Sequence, residues 1–153
     1  MQKIAIFPGS FDPITRGHEN IILRSIPLFD KIIISLGQNS EKKHYFTPGQ
    51  RRSFIETVFL NYPTIVVDQY SGLTVDYCKK VGAKFILRGL RTSADFEFER
   101  SIGQVNKKLY PAIETVFMLT LPEYTAINSS VVRDVLRHGG DVSQFIPAGL
   151  KLE

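Results

Sequence analysis

The sequence predicts an α/β protein built on a doubly wound, five-stranded parallel sheet. Three observations predict it. Five short apolar runs, several of them rich in β-branched residues, recur along the chain. Each is followed by a segment with helical apolar spacing. The 153 residues, 43% hydrophobic and 22% charged, suit one packed domain spanning residues 1–153. Buried strands alternating with helices imply right-handed βαβ crossovers and a sheet covered on both faces.

The first strand is expected at residues 4–7. Ile21, Ile22, Leu23 and Ile26 then give a helical apolar face, with Pro27 disturbing its last turn. A second strand is expected at residues 31–36, followed by a polar loop over residues 37–49. Pro48 suits the first turn of the next helix, whose core face is Phe54, Ile55, Val58 and Phe59. Residues 64–67 read as the third strand, and residues 73–81 as a helix ended by Gly82. The fourth strand is expected at residues 84–87. A helix over residues 95–109 places Phe98, Ile102, Val105 and Leu109 at core spacing, and Pro111 closes it. The fifth strand is expected at residues 115–119 and the last helix at residues 128–137, ended by Gly139 and Gly140. A short tail with one helical turn completes the chain.

Composition excludes several classes. The one cysteine, Cys78, forbids an intramolecular disulfide and reads as a small core residue. No apolar run approaches the ~20 residues that cross a bilayer, and the N-terminal apolar stretch is too short for a signal peptide, so a cytoplasmic location and no membrane partner are expected. The net charge of +4 fits an anionic partner. The lysine pairs at 42–43, 79–80 and 107–108 are scattered, which argues against nucleic acid.

In such sheets ligands bind beyond the carboxyl ends of the strands. After the first strand come Gly9, Ser10, Phe11, Asp12, Pro13, Thr15, Gly17 and His18, opening a helix whose N-terminus suits phosphate. His18 falls in that first turn. After the second come residues 39–44, where Lys42, or else Lys43, is the candidate cation. Ser71, Gly72, Leu73 and Thr74 follow the third and serve either to cap the next helix or to touch ligand. Arg88, Gly89, Leu90 and Arg91 follow the fourth, with Asp95, Glu97 and Glu99 as internal partners; guanidinium forks match phosphate oxygens. Tyr124, Thr125, Ala126, Ile127, Asn128, Ser129 and Ser130 follow the fifth, and the last three can cap the final helix.

These residues resemble phosphopantetheine adenylyltransferase, within the nucleotidyltransferases that carry a T/H-x-G-H motif. The resemblance runs nearly end to end. It rests on Gly9-Ser10-Phe11-Asp12-Pro13 with Thr15-x-Gly17-His18, on Arg88-Gly89-Leu90-Arg91 with Asp95-Phe96-Glu97, and on Ile127-Asn128-Ser129-Ser130. It implies a Rossmann-like nucleotidyltransferase fold and a homohexamer. It implies transfer of AMP from ATP to 4′-phosphopantetheine, giving dephospho-coenzyme A and pyrophosphate, with Mg²⁺ carried on ATP and coenzyme A as a feedback inhibitor. Carried over, Ser10 and Phe11 contact nucleotide and acceptor, and His18 stabilises the transition state. Lys42 and Arg88 hold the acceptor phosphate, and Thr74 lies near the pantetheine arm. Gly89, Leu90, Arg91, Glu99 and residues 124–130 bind ATP. Ser10, Tyr124 and Asn128 stand where some members have threonine, tryptophan and serine.

The acceptor is already a phosphate, so positioning and charge stabilisation suffice and no covalent intermediate is expected. No cluster of carboxylates or histidines reads as a fixed metal cage. The rival readings are a related adenylyl- or cytidylyltransferase with another phosphate acceptor, and a nonenzymatic nucleotide sensor.

Overall fold

A computed structural model describes residues 1–38 and 42–153. The five strands are β1 (Ile4–Gly9), β2 (Lys31–Gly37), β3 (Ile65–Tyr70), β4 (Phe85–Leu90) and β5 (Glu114–Leu119). They form one sheet in the order β3-β2-β1-β4-β5, and every neighbouring pair is parallel. The chain moves outward from β1 to β3, then returns to add β4 on the other side. The topological switch point therefore lies between β1 and β4.

Alternation along β1 shows why both faces are apolar. Ala5 and Phe7 join a cluster with Ile32, Ile34 and Leu87, while Ile6 joins Ile33 and Ile86 on the opposite side. Helices α1 (Arg16–Ser25) and α2 (Pro48–Val58) cover the first face through Ile21, Ile22, Phe54 and Ile55. Helix α3 (Thr74–Val81) covers the second through Tyr77 and Cys78. Cys78 is fully buried, and burial pushes its thiol up to about 11, as befits a core residue. Helix α4 (Ser93–Leu109) lies on the second face, its Phe96 ring 5.8 Å from Phe117. Helix α5 (Ser129–Arg137) returns to the first face, where Val132 packs with Val142 and Ile146 of the tail.

The helix starts follow sequence chemistry. Thr15, Thr47, Thr92 and Asn128 each accept a backbone N–H two or three residues into their helix. Pro27 does end α1, in a 3₁₀ turn over Ile26–Leu28. Gly82 closes α3 at φ +75, a left-handed backbone that suits glycine.

Three expectations are corrected. Strand β4 runs through Leu90, so Arg88 belongs to the strand rather than to the loop after it. The tail has no helical turn; its apolar residues instead pack on α5. The α4 stripe is not core: Phe98 is 68% and Val105 57% exposed, and Ile102 and Leu109 are exposed too. Helical spacing identifies an apolar face but not what covers it. No helix is long and apolar enough to cross a membrane among the described residues.

Candidate active site

Two adjoining cavities open at the carboxyl edge of the sheet around the switch point. One, of about 340 Å³, lies between the β1–α1 loop, β4 and the N-terminus of α5. The other, of about 330 Å³, lies between β1, the loops after β2 and β3, and α4. Pro8, Gly9, Ser10, Lys42, Arg88 and Glu99 line both. A hydroxyl, an ammonium and a guanidinium thus stand on the shared wall between two chambers.

His18 stands in the first chamber, and its hydrogen bonds fix its tautomer. The backbone N–H of Thr15 donates to His18 Nδ1 at 3.0 Å, while His18 N–H donates to Thr15 Oγ1 at 3.3 Å. This is a capping box with histidine in the place usually held by Glu or Gln. An Nδ1 that accepts from a backbone amide carries no proton, so neutral His18 holds its hydrogen on Nε2. Burial, then the positive charges of Arg88 and Arg91, push the imidazole from 6.5 down to about 4. At neutral pH His18 is therefore an uncharged Nε2–H donor. Phe11 braces it, with ring centroids 5.0 Å apart and rings nearly perpendicular. Phe11 holds a left-handed backbone at φ +47, unusual for a large side chain, and is 3% exposed.

Arg88 is held in a fixed orientation. Its Nε and Nη2 donate to the two carboxylate oxygens of Glu99 at 3.0 and 2.7 Å, and Nη1 donates to the carbonyl of Pro8. Glu99, expected either as an internal partner of the arginines or against ATP, orients Arg88 and lines both cavities. Arg91 is similarly tied to Asp95, whose Oδ2 accepts both the Arg91 backbone N–H and Nε at 3.1 Å. Lys42 Nζ donates to Ser10 Oγ at 3.1 Å, which brings those two expected acceptor-side residues together. Lys43 lines neither cavity.

At the N-terminus of α5, Asn128 Oδ1 caps Val131 N–H at 2.9 Å, and Ser129 Oγ donates to the Pro13 carbonyl at 2.8 Å. The first bond caps the helix and the second holds its end against the β1–α1 loop, at the edge of the chamber. Gly89, Tyr124, Ile127, Asn128, Ser129 and Ser130 all line it. Leu90, Thr125 and Ala126 do not: Leu90 ends β4 with its carbonyl taken by Thr120 N–H, and Ala126 points to solvent. Thr74 lines the second chamber, where its hydroxyl meets Tyr70 Oη at 3.0 Å. It does not cap α3; Leu73 takes the cap position without a side-chain bond. Asn39, Ser40 and Glu41 lie outside the described residues.

Sequence reasoning missed two sets of wall residues. Arg133 lines the first chamber, its guanidinium bonded to the Asp12 carbonyl at 2.9 Å and to Ser130 Oγ at 3.1 Å. Ile102, Gly103 and Asn106 of α4 line the second. The signal was available: Glu99, Gly103 and Asn106 recur at i, i+4 and i+7, a polar helical face beside the apolar stripe. Among the described residues no three of His, Cys, Asp and Glu come together as a metal-ligand set.

The family model for cytidylyltransferase-like proteins matches residues 6–135. The phosphopantetheine adenylyltransferase of Flavobacterium psychrophilum is 54% identical over 149 residues, covering 97% of this chain and 98% of that one. The corresponding protein of Flavobacterium johnsoniae is 55% identical over 149 residues, with 97% of each chain covered. Among solved structures, a bifunctional NMN adenylyltransferase/ADP ribose pyrophosphatase from Francisella tularensis superposes with a TM-score of 0.73 at 18% identity. That match covers 95% of this chain and 45% of the longer one, and speaks for the fold alone. The match along nearly the full length, with the T-x-G-H loop and the arginine strand on one crevice, places this chain among the phosphopantetheine adenylyltransferases of the cytidylyltransferase-like family.

Proposed function

We propose that the two chambers hold the two substrates of an adenylyl transfer, ATP in the first and 4′-phosphopantetheine in the second, with reaction at the wall they share. The observation that carries this reading is that Ser10, Lys42 and Arg88 line both cavities, so phosphates from opposite sides meet at the same cations. An oxygen of the acceptor phosphate attacks the α-phosphorus of ATP. The bond from that phosphorus to the β-phosphate bridging oxygen breaks, and pyrophosphate leaves with the electron pair. Dephospho-coenzyme A remains.

Each residue has a part that follows from its geometry. His18 donates Nε2–H to an α-phosphate oxygen as charge builds there. Because that nitrogen already carries its proton, His18 is a donor and not a general base. Lys42 and Arg88 hold the acceptor phosphate, with Ser10 at their junction. Arg91 and the amides at the start of α5 take the β- and γ-phosphates. Tyr124 and Ile127 border the adenosine, and Thr74 borders the pantetheine arm. Two polyanions are drawn together and oriented, which is the main demand of this chemistry.

The carboxylates lining the first chamber, Asp12, Asp95 and Glu99, are held by the Tyr45 and Phe46 amides, by Arg91 and by Arg88. Mg²⁺ therefore enters as part of the nucleotide substrate, keeping waters of its own. Coenzyme A carries a nucleotide half and a pantetheine half, so it fits both chambers and competes with both substrates. The exposed apolar stripe of α4 supports self-association, which we read as the homohexamer, working in the cytoplasm.

The test is incubation with Mg-ATP and phosphopantetheine, with products read by mass. Dephospho-coenzyme A and pyrophosphate in equal amounts are expected. ATP binding without turnover, or turnover only with another phosphate acceptor, would refute the reading.

A further inference from the structure

Asp12 is 2% exposed, and both oxygens of its carboxylate are occupied by a segment distant in sequence. Oδ2 accepts the Tyr45 backbone N–H at 2.7 Å, and Oδ1 accepts that of Phe46 at 2.9 Å. Arg51 of α2, also 2% exposed, laces the same two segments from the other side. Its Nε donates to the Phe46 carbonyl at 3.2 Å and its Nη1 to the Ser10 carbonyl at 2.8 Å. Four bonds therefore tie the loop that carries Ser10 to the backbone just after Lys42. Lysine has a long flexible stem, so where its ammonium can reach depends on where its backbone is anchored. Lys42 Nζ meets Ser10 Oγ at 3.1 Å across these two tied loops.

We propose that Asp12 is a positioning residue for the acceptor half of the site, acting through Lys42 rather than on either substrate. The inference rests on the role given to Lys42 above. A buried carboxylate takes two backbone donors that no neutral side chain of the same shape can satisfy together. Asparagine presents one oxygen and one N–H₂ group, so either Tyr45 N–H or Phe46 N–H would face another donor. The segment would then loosen on the acceptor side, while His18, Gly89 and Arg91 on the nucleotide side keep their own anchors; Arg133, 4.0 Å from the Asp12 carboxylate, keeps its bond to the Asp12 backbone carbonyl.

The experiment is a double-mutant cycle of Asp12→Asn and Lys42→Met, with KM measured separately for ATP and phosphopantetheine and folding checked by thermal melting. Asp12→Asn is expected to raise the phosphopantetheine KM by about tenfold or more and the ATP KM by less than about threefold. In the Lys42→Met background, the same change is expected to add less than about threefold. Equal shifts in both KM values, or effects that multiply in the double variant, would overturn the proposal. A Lys42→Met variant with unaltered phosphopantetheine KM would instead sink the assignment of Lys42, and this inference with it. Should Asp12→Asn not fold, Arg51→Lys serves in the same cycle. It keeps the charge but cannot span the Phe46 and Ser10 carbonyls. It must give the same acceptor-selective rise, lost in the Lys42→Met background, or the proposal fails.

Discussion

Replacing His18 tests chemistry and folding together, and the structure separates them. The side chain has two ends: Nδ1 accepts Thr15 N–H at 3.0 Å, and Nε2–H is the donor proposed for the substrate. Alanine removes both. Losing one well-placed donor to a developing charge is worth about 10²–10³ in kcat, or about 3–4 kcal/mol. Losing the capping acceptor is worth about 1 kcal/mol of stability, or a fall in Tm of about 2–4 °C for a chain of this size. Glutamine should divide the two effects. Helix α2 already uses that residue in the same place: Gln50 Oε1 accepts Thr47 N–H at 2.9 Å. With its oxygen committed to Thr15 in the same way, His18→Gln should keep the wild-type Tm, and because its amide N–H₂ remains a donor its kcat should fall less than that of His18→Ala. Steady-state pyrophosphate release and differential scanning calorimetry measure both. A His18→Ala enzyme with near-normal kcat would refute the donor role, because alanine has no N–H to offer in its place. A His18→Gln enzyme that melts as low as His18→Ala would refute the capping role.

The depressed pKa of His18 has two further consequences. Between about 4 and 6.5 the unfolded chain binds a proton at this residue and the folded chain does not, so its contribution to stability falls as pH drops through that window and is constant above it. Calorimetry across that range checks the sign, and nitrogen NMR should show Nδ1 unprotonated at neutral pH. Replacing Arg88 with alanine leaves Glu99 with a buried charge and no partner, so stability should fall by about 3 kcal/mol while the phosphopantetheine KM rises. A melting temperature equal to wild type would contradict that pairing. Changing Phe98, 68% exposed on α4, to glutamate should shift the assembly toward monomers in light scattering without unfolding the chain. An unchanged mass would exclude Phe98 from the contact.

Much of the fold was legible because local patterns and global architecture agree. The β-branched run at β2 and the proline and threonine at the start of α2 each prefer what they form. The grouping of Ser10, His18, Lys42, Arg88 and Arg91 was legible because residues after parallel strands must share one edge of the sheet. What was not legible depends on tertiary direction. Arg88 reads as a loop residue beside Gly89, yet backbone pairing with Phe117 keeps it in β4. Glu99 reads both as an internal partner of the arginines and as a nucleotide contact; which arginine it pairs with, Arg88, shows only once α4 is packed beside β4. The α4 stripe has core spacing but no core against it, since spacing carries no record of whether the covering surface belongs to the same chain. Asp12 sits inside a motif, but its partners Tyr45 and Phe46 are more than thirty residues away and reachable only once the sheet has formed.

Direct transfer requires two molecules held side by side across one wall. Its most direct test is the stereochemical course at the α-phosphorus, using ATP made chiral there with sulfur. A single in-line displacement predicts inversion in the dephospho-coenzyme A product. Retention would mean that the adenylyl group first passes to the protein, and the reading of the shared wall would be contradicted.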